Sequence, residues 1–208
     1  MLDHLLEGLA HAAQLDDLVI ATSLDPSDDA TEAFAEERGV ACFRGSLENV
    51  ALRMLAAGES RQAGAVARIN GDSPLLDPAI VDRGVQLFRE GGVDIVTNVR
   101  PRSFPKGQSV EVIAIDALRR AVASMSAAED REHVTPFIYA RPQEFPLHSF
   151  AAETPRPELQ LSVDDAADFE RCAAIVRALR VPAWQAGWQR CVAEYDRLEA
   201  AAPMRAVR

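Results

Sequence analysis

Arg68-Ile69-Asn70-Gly71-Asp72-Ser73-Pro74-Leu75-Leu76-Asp77-Pro78 hands an apolar strand over to a helix through a turn that carries an acid. Ala65 to Ile69 is a short apolar strand, Gly71 and Pro74 break it, and Asp77-Pro78 starts a helix, with Asp as N-cap and Pro at the first helical position. Asp72 therefore stands just past the carboxyl end of a strand, where open α/β sheets bind their ligands. A carboxylate delivered there by a tight loop suits a cation that carries phosphates. Turn formation alone is the competing reading, because Asp beside Gly and Pro is common turn chemistry.

Outward from this turn, strands and helices alternate. On the N-terminal side, Leu2, Leu5, Leu6, Leu9 and Ala13 recur at helical spacing, Leu18 to Thr22 is a strand, and Asp25 to Asp29 caps a helix that stops at Gly39. Val40 to Phe43 is a second strand, and Gly45-Ser46 caps a helix over roughly Leu47 to Ala57. On the C-terminal side, Ile80, Val81, Val85, Leu87 and Phe88 mark a helix that ends at Gly91-Gly92, and Asp94 to Asn98 is the next strand. The alternation predicts an α/β fold, a mainly parallel, doubly wound sheet with helices on both faces.

Val99 to Gln108 interrupts the pattern as a polar loop with Pro101, Pro105 and Gly107, placed to cover a ligand, and Val110 to Ile115 is a strand that carries Glu111. Asp116 caps another helix, Asp130 to Pro136 opens a shorter one, and Phe145 to Phe150 and Leu159 to Val163 are strands, the second ending in Asp164-Asp165. Phe169, Cys172, Ala173, Val176 and Leu179 form the stripe of one late helix, and Trp188, Val192, Tyr195 and Leu198 that of another. A single domain is expected over residues 1–208, with a C-terminal helical appendage from about residue 181 and a frayed tail from Ala200.

Composition narrows the function. The chain is 48% hydrophobic and carries a net charge of -10, with Lys106 as its single lysine. Such a field repels polyanions, so nucleic acid and anionic membrane are unfavourable partners, and any phosphate site must use arginine or backbone N–H groups. Cys42, Cys172 and Cys191 are too widely spaced for a zinc or disulfide pattern. No apolar run approaches the ~20 residues of a membrane span, and the start is not that of a signal peptide, which makes cytoplasm the expected location.

Asp72 and Asp164 both follow an apolar strand and precede a helix, so strands of one sheet would bring both carboxylates to the same rim. One or two carboxylates with substrate phosphates and water form the usual magnesium arrangement of phosphoryl transfer. Asp164 or Asp165 is equally an N-cap for the helix of Phe169. Arg44, Arg53 and Arg68 flank the rim as phosphate ligands or as ordinary surface arginines. Glu111 is either outward-facing or a buried acceptor for a polar substrate. His133, within Arg131-Glu132-His133, is a base, a hydroxyl-binding group or part of a polar helix start.

In order along the chain, Ala21-Thr22-Ser23, Phe43-Arg44-Gly45-Ser46, Arg68 to Leu75, Val110-Glu111-Val112, Arg131 to Pro136 and Val163-Asp164-Asp165 resemble the bacterial cytidylyltransferases of the acylneuraminate and CMP-Kdo synthetase type, nearest the spore coat polysaccharide biosynthesis protein F branch. The resemblance covers nearly the whole chain. It implies a Rossmann-like nucleotidyltransferase that attacks the α-phosphorus of CTP with a sugar hydroxyl, using Mg2+ and releasing pyrophosphate, for surface polysaccharide. By similarity, Asp72 and Asp164 bind the metal and carry the catalysis; Thr22, Ser23, Arg53, Asn70 and Gly71 bind the nucleotide; and Glu111, Arg131 and His133 lie on the acceptor side. The expected partners are CTP and a sugar acid or amino sugar, with a homodimer as a candidate assembly.

The sequence also departs from that family. Its members open with a strand and a Gly- and Arg-rich nucleotide loop, whereas this chain starts at the helix that follows them, which implies a sheet lacking its first strand. Asp164-Asp165-Ala166-Ala167-Asp168 keeps the first and last acids of the usual Asp-Thr-Pro-Glu-Asp run, and Ser109 stands where an acid is frequent. Charge-assisted hydrogen bonds contribute about 1.5 to 3 kcal/mol each, so losing two or three to a triphosphate removes roughly 3 to 9 kcal/mol. The alternatives to an active CMP-sugar synthetase are a truncated or catalytically silent nucleotide- or sugar-binding module and a nucleotide-sugar glycosyltransferase. The latter favours an Asp-x-Asp motif, and Asp72 and Asp77 are too far apart for one.

Overall fold

The structure, a computed structural model, describes residues 1–201. The chain opens with α1 (Leu2–Leu9) and β1 (Val19–Ser23), turns through a short 3-10 segment (Pro26–Asp28) into α2 (Asp29–Glu37), and continues as β2 (Ala41–Gly45), α3 (Val50–Ser60) and β3 (Ala65–Arg68). After the Asp72 turn come α4 (Pro78–Arg89), β4 (Ile95–Thr97), β5 (Glu111–Ala114), α5 (Ile115–Ser124), α6 (Ala128–His133), α7 (Thr135–Tyr139) and β6 (Leu147–Ser149). Three helices close the described chain: α8 (Ala166–Ala178), α9 (Ala183–Ala186) and α10 (Trp188–Ala201).

The architecture is α/β, with the strands in two sheets. β1 and β2 form a parallel pair, and the other sheet has the order β3-β5-β4-β6. Within the expected α/β fold β5 is the strand that departs from the parallel order: it runs antiparallel to both β3 and β4, while β4 and β6 are parallel. The cause is the connection: no helix lies between β4 and β5, so the chain returns beside itself, as a parallel neighbour could not.

Local chemistry sets the helix starts. Asp77 caps α4 by accepting from Ala79 N at 2.9 Å, with Pro78 following, and Ile80, Val81, Val85 and Leu87 are buried. α3 begins later than its sequence suggests, because Ser46 Oγ accepts from Asn49 N at 3.0 Å and holds a turn, leaving Asn49 to cap through Leu52 N at 2.9 Å. Asp116 lies inside the first turn of α5, where Ala114 occupies the cap position. α6 and α7 are separated by buried Val134, whose φ of 64° and ψ of -70° form a classic γ-turn, a rare and strained geometry for a β-branched residue.

Two apolar cores lie on either side of the larger sheet. One gathers Leu5, Leu9, Leu75, Val81, Val96, Val112, Leu161 and Ile175, and Trp188, Cys191 and Val192 of α10 belong to it. The other gathers Leu55, Ile95, Ile113, Leu118, Val134, Phe137 and Phe145. Phe169, expected on the packed stripe of α8, is instead 49% exposed, and Cys172 and Ile175 make the contact. Leu159 to Val163 is extended without forming a named strand: its backbone bonds go to Lys106 and Asp72, which belong to loops. The frayed tail expected from Ala200 falls mostly at 202–208, outside the described residues.

Candidate active site

The turn after β3 and the extended run 159–164 supply the residues of one rim. After β3, Asn70 and Gly71 are exposed, and their amides make no hydrogen bond among the described residues. Asp72 follows, half-buried, with Oδ1 accepting from Ser73 Oγ at 2.8 Å. Its carbonyl accepts from Val163 N at 2.9 Å, which brings Asp164 to the same edge. Asp164 is exposed and its Oδ2 accepts from Gln160 Nε2 at 2.8 Å. Asp165 does what a capping acid does, accepting from Asp168 N at 2.9 Å to start α8. Asp164 is thus left outside the cap.

Among the described residues, each of Asp72 and Asp164 keeps one carboxylate oxygen without a protein partner. No group of three or more potential ligands is assembled there. Two carboxylates with free oxygens, and no closed protein cage, fit a hydrated hard cation whose remaining ligands are water and phosphate.

Arg44 of β2 and Arg53 of α3 are turned inward. Arg44 donates to the carbonyls of Ser23 and Asp25 at 2.7 and 2.8 Å and pairs with Asp29 and Glu32. Arg53 donates to the carbonyl of Ser46 at 2.5 Å and so fastens the loop before α3. Ser23 is also committed: it is 1% exposed, and its amide and hydroxyl both donate to Asp28, which holds that carboxyl down at about 2. Thr22, half-buried at the end of β1, contributes to the same depression.

A second polar cluster lies one step along β3. Glu111, 3% exposed at the start of β5, pairs with Arg68 at 2.7 Å and accepts from the hydroxyl of Tyr139. Burial, and then the charge of Glu111, push the Tyr139 phenol well above its ordinary range, so it stays a donor. Its oxygen lies 2.9 Å from Thr97 Oγ1. Glu111 is therefore saturated, and what it does is orient Arg68, two residues ahead of Asn70. Sequence alone does not single out Thr97 and Tyr139. Their signal was a hydroxyl inside a buried strand and one of only two tyrosines in the chain.

Arg131 and His133 are exposed on α6, which packs against α3, and neither touches the Asp72 rim or the Glu111 cluster directly. The Val99–Gln108 loop is no free cover. Asn98 and Gln108 pin its two ends, with Gln108 Nε2 donating to the Leu75 carbonyl at 2.6 Å and Gln108 Oε1 accepting from Asp77 N at 3.0 Å. Ser103, Phe104, Pro105 and Gly107 are buried. No helix among the described residues is long and apolar enough to cross a membrane.

Comparison with known proteins identifies the family. The profile of the cytidylyltransferase family matches residues 1–179. An uncharacterized Methanocaldococcus jannaschii protein, MJ1063, is 33% identical over 82% of this chain and 70% of its own length. The spore coat polysaccharide biosynthesis protein SpsF of Bacillus subtilis is 31% identical over 77% of this chain and 67% of its own. A cytidylyltransferase structure from Leptospira borgpetersenii superposes with a TM-score of 0.90 at 23% identity, covering 100% of this chain and 87% of that one. The chain belongs to the cytidylyltransferase family of nucleotidyltransferases.

Proposed function

We propose that the chain transfers CMP from CTP to a hydroxyl of a sugar acid or amino sugar, releasing pyrophosphate, in the synthesis of a surface polysaccharide. The observation that carries this reading is the pairing of Asp72 and Asp164 on one rim, each with an uncommitted oxygen, joined through Val163. The family match and the polysaccharide role in the name of the Bacillus subtilis relative support it. Mg2+, when bound to these carboxylates and to phosphate oxygens, supplies the positive charge that offsets charge developing on the leaving pyrophosphate.

The chain's own groups do the rest. The bare amides of Asn70 and Gly71 donate to phosphate oxygens, and the absent side chain of Gly71 lets a phosphate approach the backbone. Thr22 stands at the neighbouring strand end. Ser23 and Arg53 act indirectly, by fixing the corners that flank the nucleotide. Glu111 orients Arg68, and exposed Arg131 and His133 serve the acceptor side.

The test is a pyrophosphate-release assay with CTP, Mg2+ and a panel of sugar acids and amino sugars, alongside calorimetric titration of CTP. Nucleotide-dependent release with at least one acceptor is expected, and its loss in Asp72→Asn with the fold intact. CTP binding without turnover on any acceptor would instead favour a catalytically silent binding module. One observation already points that way: Arg44 and Arg53 both spend their guanidinium groups inside the chain.

A further inference from the structure

Lys106 is the single lysine of the chain, and two backbone bonds fix where it stands. Lys106 N donates to the Leu159 carbonyl and Leu161 N donates to the Lys106 carbonyl, both at 2.9 Å, so Lys106 and Gln160 are neighbours in a parallel bridge. Buried Pro105 and Gly107 flank it, and Gly107 lies close against the backbone of Leu161 and Ser162. The backbone of Lys106 is therefore held on both sides while its side chain is exposed. Its ammonium lies 3.5 Å from Gln160 Oε1 and, among the described residues, pairs with no carboxylate.

Gln160 separates this cation from the acids. Its Nε2 donates to Asp164 Oδ2 at 2.8 Å and to Asp168 Oδ2 at 2.7 Å, while Oε1 faces Lys106. A carboxylate only accepts and an ammonium only donates, so one orientation of the amide satisfies both sides. Asp168 is held in turn by Arg171 at 2.5 Å and accepts from Asp164 N at 3.1 Å, which fixes the acid end. Other cations are engaged elsewhere: Arg68 with Glu111, Arg44 and Arg53 with their own corners, Arg100 over the Tyr139 ring and Arg102 with Ser109 Oγ.

We propose that Lys106 is the phosphate-binding cation of the metal rim, and that Gln160 is a spacer that keeps its ammonium from pairing with Asp164. This rests on the reading of Asp72 and Asp164 as the carboxylates that hold a nucleotide-bound cation. A hydrated hard cation on Asp164 takes phosphate oxygens among its remaining ligands, so the anion presented beside Asp164 is phosphate. The contact between Lys106 and Gln160 is long and exposed, so the ammonium readily exchanges it for a shorter, charge-assisted bond to a phosphate oxygen. A direct pair of Lys106 with Asp164 would cancel both charges. The neutral amide leaves Asp164 its charge for the metal and Lys106 its charge for the phosphate, and the flexible stem of the lysine supplies the reach.

A single lysine makes the test direct. In the 208-residue chain grown with lysine carbon-labelled at Cε, one side-chain NMR resonance reports Lys106. Titration with CTP and Mg2+, and with pyrophosphate and Mg2+, is expected to shift that resonance along the isotherm that calorimetry gives for the same ligand. A carboxylated sugar without nucleotide is expected to leave it in place. Lys106→Gln should weaken CTP binding roughly ten- to a hundredfold, the equivalent of one charge-assisted bond, with Tm unchanged, and Lys106→Arg should restore most of the loss. Gln160→Leu should raise the Mg2+ concentration needed for half-maximal CTP binding.

CTP that binds with Mg2+ and leaves the lysine resonance in place would overturn the proposal while the transfer reading stands, as would normal CTP binding by Lys106→Gln. A resonance moved by the carboxylated sugar alone would give the lysine to the acceptor and end the phosphate assignment. Loss of binding in Lys106→Gln together with a lower Tm, and no recovery in Lys106→Arg, would make the residue structural and overturn the proposal too. An unchanged Mg2+ requirement in Gln160→Leu would overturn the spacer. Absence of any binding of CTP or pyrophosphate would remove both this proposal and the reading on which it rests.

Discussion

Val163 N donates to the carbonyl of Asp72 at 2.9 Å, and this single backbone bond ties together two acids that are remote in sequence. It fixes the extended run before α8 against the turn after β3, so that Asp164 and Asp72 share a rim while their side chains stay free of one another's hydrogen bonds.

That sharing makes the two acids equivalent in a measurable way. Asp72→Asn and Asp164→Asn should each lower Mg2+-dependent turnover by roughly a hundredfold or more, since each removes charge that holds the cation against phosphate. Thermal stability should be nearly unchanged, because neither carboxylate carries a buried ion pair. Turnover that survives either change with the same Mg2+ dependence would remove that residue from the metal site.

The Glu111 cluster yields a stability prediction. Tyr139→Phe removes the hydroxyl that donates to the buried carboxylate and leaves Thr97 without that neighbour. Leaving a buried acceptor short of a donor costs about 1 to 3 kcal/mol, to be read from the urea midpoint. An unshifted midpoint would mean that Arg68 alone satisfies Glu111.

How far the sequence disclosed all this depends on the range of the interaction. The Asp72 turn and the start of α4 were legible, because strand end, Gly, Pro and Asp-Pro are local signals. The extended run leading to Asp164 reads as a strand because Leu159 and Leu161 are apolar and belong to the core, yet its backbone bonds go to the loop at Lys106 and no ladder forms. The antiparallel placing of β5 was hidden for the same reason: pairing is a long-range choice that an apolar run does not declare. Thr97 and Tyr139 meet Glu111 from separate elements, so nothing near either residue announces the cluster. The inward turn of Arg44 and Arg53 could not be read either, since a surface arginine and a corner-fixing one look alike in sequence.

Asp28 gives a pH prediction. The amide and hydroxyl of Ser23 hold its carboxyl at about 2, below its ordinary value. A depressed folded value means that its contribution to stability is fully present above the unfolded carboxyl range, near pH 4, and is lost as pH falls through about 2. Carbon NMR of the side-chain carboxyl should titrate there, and Ser23→Ala should move the midpoint upward. A midpoint near that of free Asp would dissolve the corner as drawn.

Gly107 connects the pinned loop to the metal rim. Its φ is +89°, and a Cβ there would stand 2.6 Å from the backbone carbon of Leu161 and the nitrogen of Ser162, neither of which can swing aside like a side chain. Gly91 is the control, with φ +84° and nothing within 4 Å of an added Cβ. Gly91→Ala should cost only the left-handed backbone penalty, about 1 to 2 kcal/mol. Gly107→Ala should cost more than that, about 3 kcal/mol or above, because the run 161–164 must also retreat. That retreat pulls on Val163 and hence on Asp164, so Gly107→Ala should weaken Mg2+ dependence of turnover even at temperatures where the protein stays folded. Gly91→Ala should leave it unchanged. Equal stability losses for the two variants would show that the contact between Gly107 and the 161–162 backbone is looser than the structure has it, and normal Mg2+ dependence in folded Gly107→Ala would uncouple the loop from the rim.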